Sequence, residues 1–78
     1  MFIKRKHYKH KNMKDVHFEV RLVEWESDEG VKLFVTWYND SMKCEIGPEQ
    51  IFVKKRDIHD YVQLFSDDEL GGYGEDMS

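Results

Sequence analysis

Seventy-eight residues with 12 Lys and Arg against 16 Asp and Glu make a chain of net charge −4, long enough for one domain and no more. Cys44 is the single cysteine, which excludes an intramolecular disulfide, and no stretch approaches the ~20 apolar residues needed to span a bilayer. The charge is sorted by position: residues 1–14 carry six cations and no acid, residues 66–78 carry five acids and no base, and everything after Lys14 sums to −10. This pattern bears on partners more than on fold.

Lys4, Arg5, Lys6, Lys9, Lys11 and Lys14 dominate the first segment, with Phe2, Ile3, Tyr8 and Met13 as its apolar residues. Residues 1–14 read as a basic arm whose first few residues are able to pair as an edge strand, where lysines discourage unwanted partners. From Asp15 the pattern changes. Val16, Phe18, Val20 and Leu22 alternate with polar residues, the period of a half-buried strand. At Val23 and Trp25 the apolar parity switches, which calls for a coiled or bulged strand as in a small barrel. Ser27-Asp28-Glu29-Gly30 is a turn, and 31–38 a central strand rich in β-branched and aromatic residues. The pair 16–26 and 31–38 is the main hairpin.

After the turn at Asn39-Asp40-Ser41, the alternation of Met42, Cys44 and Ile46 predicts a third strand. Gly47-Pro48-Glu49-Gln50 then interrupts, and 51–53 forms a short fourth strand ended by Lys54-Lys55-Arg56. Asp57 is placed to cap a helix whose stripe is Ile58, Tyr61, Val62 and Phe65, at i, i+3, i+4, i+7. At about eight residues such a helix must pack on the sheet to persist. The acids and glycines of 67–78 read as a flexible acidic tail. The expected fold is therefore α+β, mainly β. It is a small curved antiparallel sheet of about four strands with one short C-terminal helix. The expected units are an arm at 1–14, a domain at 15–66 and a tail at 67–78. Strand–turn–strand runs ending in a short turn and an Ile are similar to those of SH3-like and Tudor-like barrels, a resemblance of architecture that transfers no residue roles.

Candidate chemistry is thin. His7 and His10 have the spacing H-x-x-H, with His17 further on, but they sit among cations that repel a divalent ion and lack a carboxylate or thiolate to complete a tetrahedron. No metal or cofactor is expected. Cys44 falls on the apolar parity of its strand and reads as a small core hydrophobe rather than a nucleophile. Glu24, Glu26, Asp28 and Glu29 surround a hairpin tip, where acids are ordinarily solvated, and no glycine-rich phosphate loop exists.

A chain without reaction chemistry and with a polarised surface acts by occupying a site. The expected function is that of a non-enzymatic, cytoplasmic regulatory or inhibitory binding protein acting on a larger protein complex, in the manner of small phage-borne modulators. Its acidic section suits a basic groove, including one that handles nucleic acid. Trp25, Trp37 and Tyr38 are candidate anchors, because so small a core rarely encloses two tryptophans. Asp67, Asp68 and Glu69 are the candidate acidic contacts. The alternative is a nucleic-acid-binding module in which Lys4, Arg5, Lys6, Lys9 and Lys11 track phosphates while Tyr8 stacks on a base. A homodimer or an obligate subunit of a fixed assembly is a third arrangement, marked by a concentration-dependent melting temperature.

Overall fold

Two bulges in one long strand give this protein its shape. The computed structural model describes residues 2–65, among which five strands form a single antiparallel sheet: β1 (His7–His10), β2 (Val16–Ser27), β3 (Gly30–Asn39), β4 (Cys44–Lys54) and β5 (Tyr61–Leu64). The spatial order is β4-β3-β2-β1-β5, so among the described residues the sheet is open, with β4 and β5 at its edges.

Strand β2 pairs with β3 from Val16↔Asn39 to Ser27↔Gly30, and the register slips between Val20 and Leu22 and again between Val23 and Trp25. Arg21 and Glu24 are the inserted residues. Each insertion reverses the side on which the next residues point, so the parity switch in the sequence has its physical cause here. Phe18, Val20 and Val23 stay on the core side, while Leu22 and Trp25 move to the outer side. The hairpin closes at Gly30, whose φ of 154° and close backbone neighbours favour glycine. A Cβ there would stand 2.3 Å from the Val53 carbonyl oxygen.

The core forms on one side of the sheet. Phe2, Tyr8, Phe18, Val20, Val31, Leu33, Val35 and Val53 are buried together, with Val23, Trp37, Ile51, Ile58 and Tyr61 packed against them. Aromatic edges do much of the filling: the Phe2 ring lies 4.9 Å from Tyr8 and 5.7 Å from Tyr61, both T-shaped. Burying each large side chain of this set stabilises by about 1.5–3 kcal/mol.

Three expectations are corrected. First, His7–His10 is an inner strand rather than an edge or an arm. It pairs with β2 through His7↔Glu19 and Tyr8↔Phe18, and with β5 through four residues. Phe2 and Tyr8 supply apolar area that the 51 residues of 15–65 lack, and this draws the basic segment into the fold. Second, Gly47-Pro48 does not divide two strands. Strand β4 runs unbroken through a cis Gly47–Pro48 peptide, with one extra residue absorbed between Val35↔Glu49 and Trp37↔Ile46. An edge strand tolerates a proline because its outward side needs no donor.

Third, no α-helix covers 57–65. Lys55–Asp60 makes a 3₁₀ turn with Lys54 at its N-cap and no side-chain cap, so Asp57 does not cap it. Tyr61 returns to extended backbone and β5 pairs with β1, from His7↔Leu64 to His10↔Tyr61. Residues 61–64 satisfy a helical stripe and a strand equally well. The ladder offered by β1 outweighs a helix too short to stand by itself.

Candidate functional site

The side of the sheet opposite the core carries the polar and exposed aromatic residues. Pairing fixes its rows: His17 faces Tyr38, Glu19 faces Thr36, Leu22 faces Phe34, and Trp25, Lys32 and Phe52 lie side by side across β2, β3 and β4. It divides into a buried polar end and an exposed aromatic end.

At the polar end, His7, His17 and Tyr38 stack. The His17 and Tyr38 rings are 5.2 Å apart and nearly parallel, and His7 lies 5.1 Å from His17. His17 Nδ1 sits 3.1 Å from both carboxylate oxygens of Asp40. The Tyr38 hydroxyl donates to Glu19 Oε1 at 3.2 Å, and Arg21 donates to the same oxygen at 3.3 Å. Burial, and then the charge and hydrogen bond of Glu19, push the Tyr38 phenol up to about 12. His17 is fully buried, so its pairing with Asp40 holds a ring in place and does not present one to a substrate.

This geometry disposes of H-x-x-H as a chelating pair. A spacing of three in an extended strand sends the rings to opposite sides: His7 joins His17, whereas His10 packs edge-on against Tyr61 and approaches Asp60. Among the described residues no three His, Cys, Asp or Glu side chains come together as a metal site.

At the aromatic end, Trp25 and Phe52 are each 44% exposed with ring centroids 5.9 Å apart, and Leu22 is exposed beside them. Lys32 stands between the two rings in the register, so a cage for an outside cation would have to share space with an ammonium of the chain itself. An open depression of about 410 Å³ continues from Phe52 to Glu29, Lys54, Lys55 and Arg56. Glu24 is tied to Gln50, whose amide donates to both carboxylate oxygens at 3.0 and 3.1 Å. Glu26, Asp28 and Glu29 are exposed at the hairpin tip.

The candidate anchors therefore separate. Trp25 is exposed. Trp37 lies on the core side, half-buried, with Nε1 donating to Glu49 at 2.8 Å. Tyr38 is buried in the polar cluster. Asp67, Asp68 and Glu69 lie outside the described residues. Of the basic set, Lys4, Arg5 and Lys6 are exposed in the turn before β1, Lys9 is half-buried, and Lys11 is exposed and paired with Asp60 at 3.1 Å. Tyr8 is a correction. It is 4% exposed, its hydroxyl accepts from the Ile3 amide at 2.8 Å, and its ring is not presented for stacking on a base.

Cys44 is corrected as well. It is exposed, with Met42 and Ile46, because the first half of β4 runs along an edge that the core does not reach. Arg21 and Glu19 are the residues that sequence reasoning missed at this face. Their signal was the parity switch around Val23, which places side chains only once the inserted residues are known.

In comparisons with known proteins, no family model, no curated protein and no solved structure matches the chain.

Proposed function

We propose that this chain is a non-enzymatic small binding protein, regulatory or inhibitory, that docks the outer side of β2, β3 and β4 on a larger protein complex in the cytoplasm. The observation that carries this reading is the Trp25–Phe52 pair, two large rings with centroids 5.9 Å apart and both nearly half-exposed on the sheet. Monomeric surfaces scatter single apolar residues; a contiguous set with Leu22 and Phe34 is what a partner's apolar side chain fills. Aromatic anchors on rigid strands lose little side-chain freedom on binding. The polarised charge fits a steering role, since everything after Lys14 sums to −10 and favours a basic approach surface. A nucleic-acid-handling complex is the partner class this charge suits, with the chain as its small modulator, phage-like in composition.

The architecture supports an SH3-like reading of the fold. The bulges coil β2, and a 3₁₀ turn leads from β4 to β5, which pairs with β1; strand coiling and such a short connection are features of small barrels, here on a sheet that is open among the described residues.

The test is affinity capture with the tagged chain and the double variant Trp25→Ala/Phe52→Ala. The parent should retain a defined complex at fixed stoichiometry that the variant loses, with the melting temperatures of the two nearly equal. Equal retention by both, or a salt-sensitive gel shift with nucleic acid in place of protein capture, would end this reading.

A further inference from the structure

We propose that the recess between the Ile3–Lys6 turn and the first bulge of β2 binds a phosphate group. The recess measures about 110 Å³ and is lined by Lys4, Arg5, Glu19 and Arg21. That volume holds several waters or one tetrahedral oxyanion and is too small for a drug-sized ligand. Three cations face one carboxylate, and the carboxylate is already engaged: Glu19 Oε1 accepts from both Tyr38 and Arg21. Two guanidinium groups supply the forked donors that suit phosphate oxygens, and Lys4 adds a compact charge.

The backbone supplies an independent reason to look here. The Lys6 amide donates to the Ile3 carbonyl at 3.1 Å, closing a turn in which Arg5 has φ 73°. Glycine or asparagine fills that position in a type II turn at no steric cost; arginine fills it with strain. The strained turn is clamped at both ends to one residue of β2. The Arg5 amide donates to the Val20 carbonyl at 2.7 Å, and the Val20 amide donates to the Lys6 carbonyl at 3.0 Å. On the other wall, Arg21 is the residue inserted by the bulge after Val20. Two irregularities from separate parts of the chain therefore meet at Val20 and bring their cationic side chains to one recess. Strain held in place by surrounding hydrogen bonds is characteristic of binding sites.

The experiment is an NMR titration of amide shifts in the full chain with inorganic phosphate, phosphoserine and a nucleoside monophosphate, at constant ionic strength against chloride. Phosphate should move Lys4, Arg5 and Glu19–Arg21 saturably in the millimolar range, and the tightest of the three ligands identifies what carries the group. Arg21→Gln should weaken binding roughly tenfold, the loss expected for a charge-assisted forked contact. Arg5→Gly separates binding from folding: affinity should fall at least about threefold while the melting temperature holds or rises, because the turn position suits glycine. No saturable shift up to roughly 10 mM phosphate, the same shifts from chloride, or equal affinity in both variants would overturn the proposal.

Discussion

Tyr38 ties together the buried polar end of the outer sheet side, its ring stacked on His17 and its hydroxyl bonded to Glu19. Its phenol ionises near 10.0 in the unfolded chain and at about 12 in the folded one. The folded state therefore holds the proton to higher pH. The stabilisation this represents is whole below pH 10 and lost as pH rises from 10 towards 12. Urea midpoints followed across that window should fall steeply in the parent and less steeply in Tyr38→Phe. The slope that remains comes from Tyr8 and Tyr61, both also raised chiefly by burial. Superimposable profiles for parent and variant would show that Tyr38 does not couple to folding. Residue types announced some of these roles but not their places. A tyrosine beside alternating lysines reads the same whether it stacks on a base or, as Tyr8 does, fills the core.

Among the elements, β1 departs furthest from its composition. A segment with six cations in its first fourteen residues looks like a solvated arm, yet it carries Phe2 and Tyr8 into the core and pairs on both sides. Extended geometry reconciles the two, since alternate side chains take Tyr8 inward and leave the charged residues of the preceding turn outside. Deleting residues 2–10 should abolish the cooperative thermal transition, because it strips two ladders at once, the one to β2 and the one to β5. Replacing Lys4 and Lys6 with Gln should shift stability by no more than about 0.5 kcal/mol each. A deletion chain that melts like the parent would show that β1 is dispensable. The hairpin of β2 and β3 was legible because it is local, with Gly30 at its turn and the parity switch marking its bulges. Strand β5 was not legible, because its partner lies more than fifty residues earlier in the chain.

At the scale of the molecule, the structure distributes what the sequence presents as blocks. The N-terminal cations meet Arg21 at one recess, and the basic triplet 54–56 borders Phe52 at another. The first half of β4 leaves Ile46 64% exposed and Cys44 exposed on an edge, and Met42 is exposed in the turn before it. An exposed apolar edge invites pairing with a second copy, which Pro48 only partly discourages. Ile46→Lys should lower any concentration-dependent association seen by sedimentation without lowering the melting temperature. Identical sedimentation of the two proteins at high concentration would remove the edge as a site of association.

Strand period, turn residues, the bulged character of β2 and the mainly β architecture follow from the chain read locally, because each depends on side chains within a few positions of one another. The inner position of β1, the strand at 61–64, the exposure of Cys44 and the meeting of Lys4, Arg5, Glu19 and Arg21 depend on which distant segments pair. Such pairings are chosen by the burial and hydrogen bonding of the whole sheet. No window of sequence contains both partners, so only the assembled fold could assign those residues to a core, an edge or a recess.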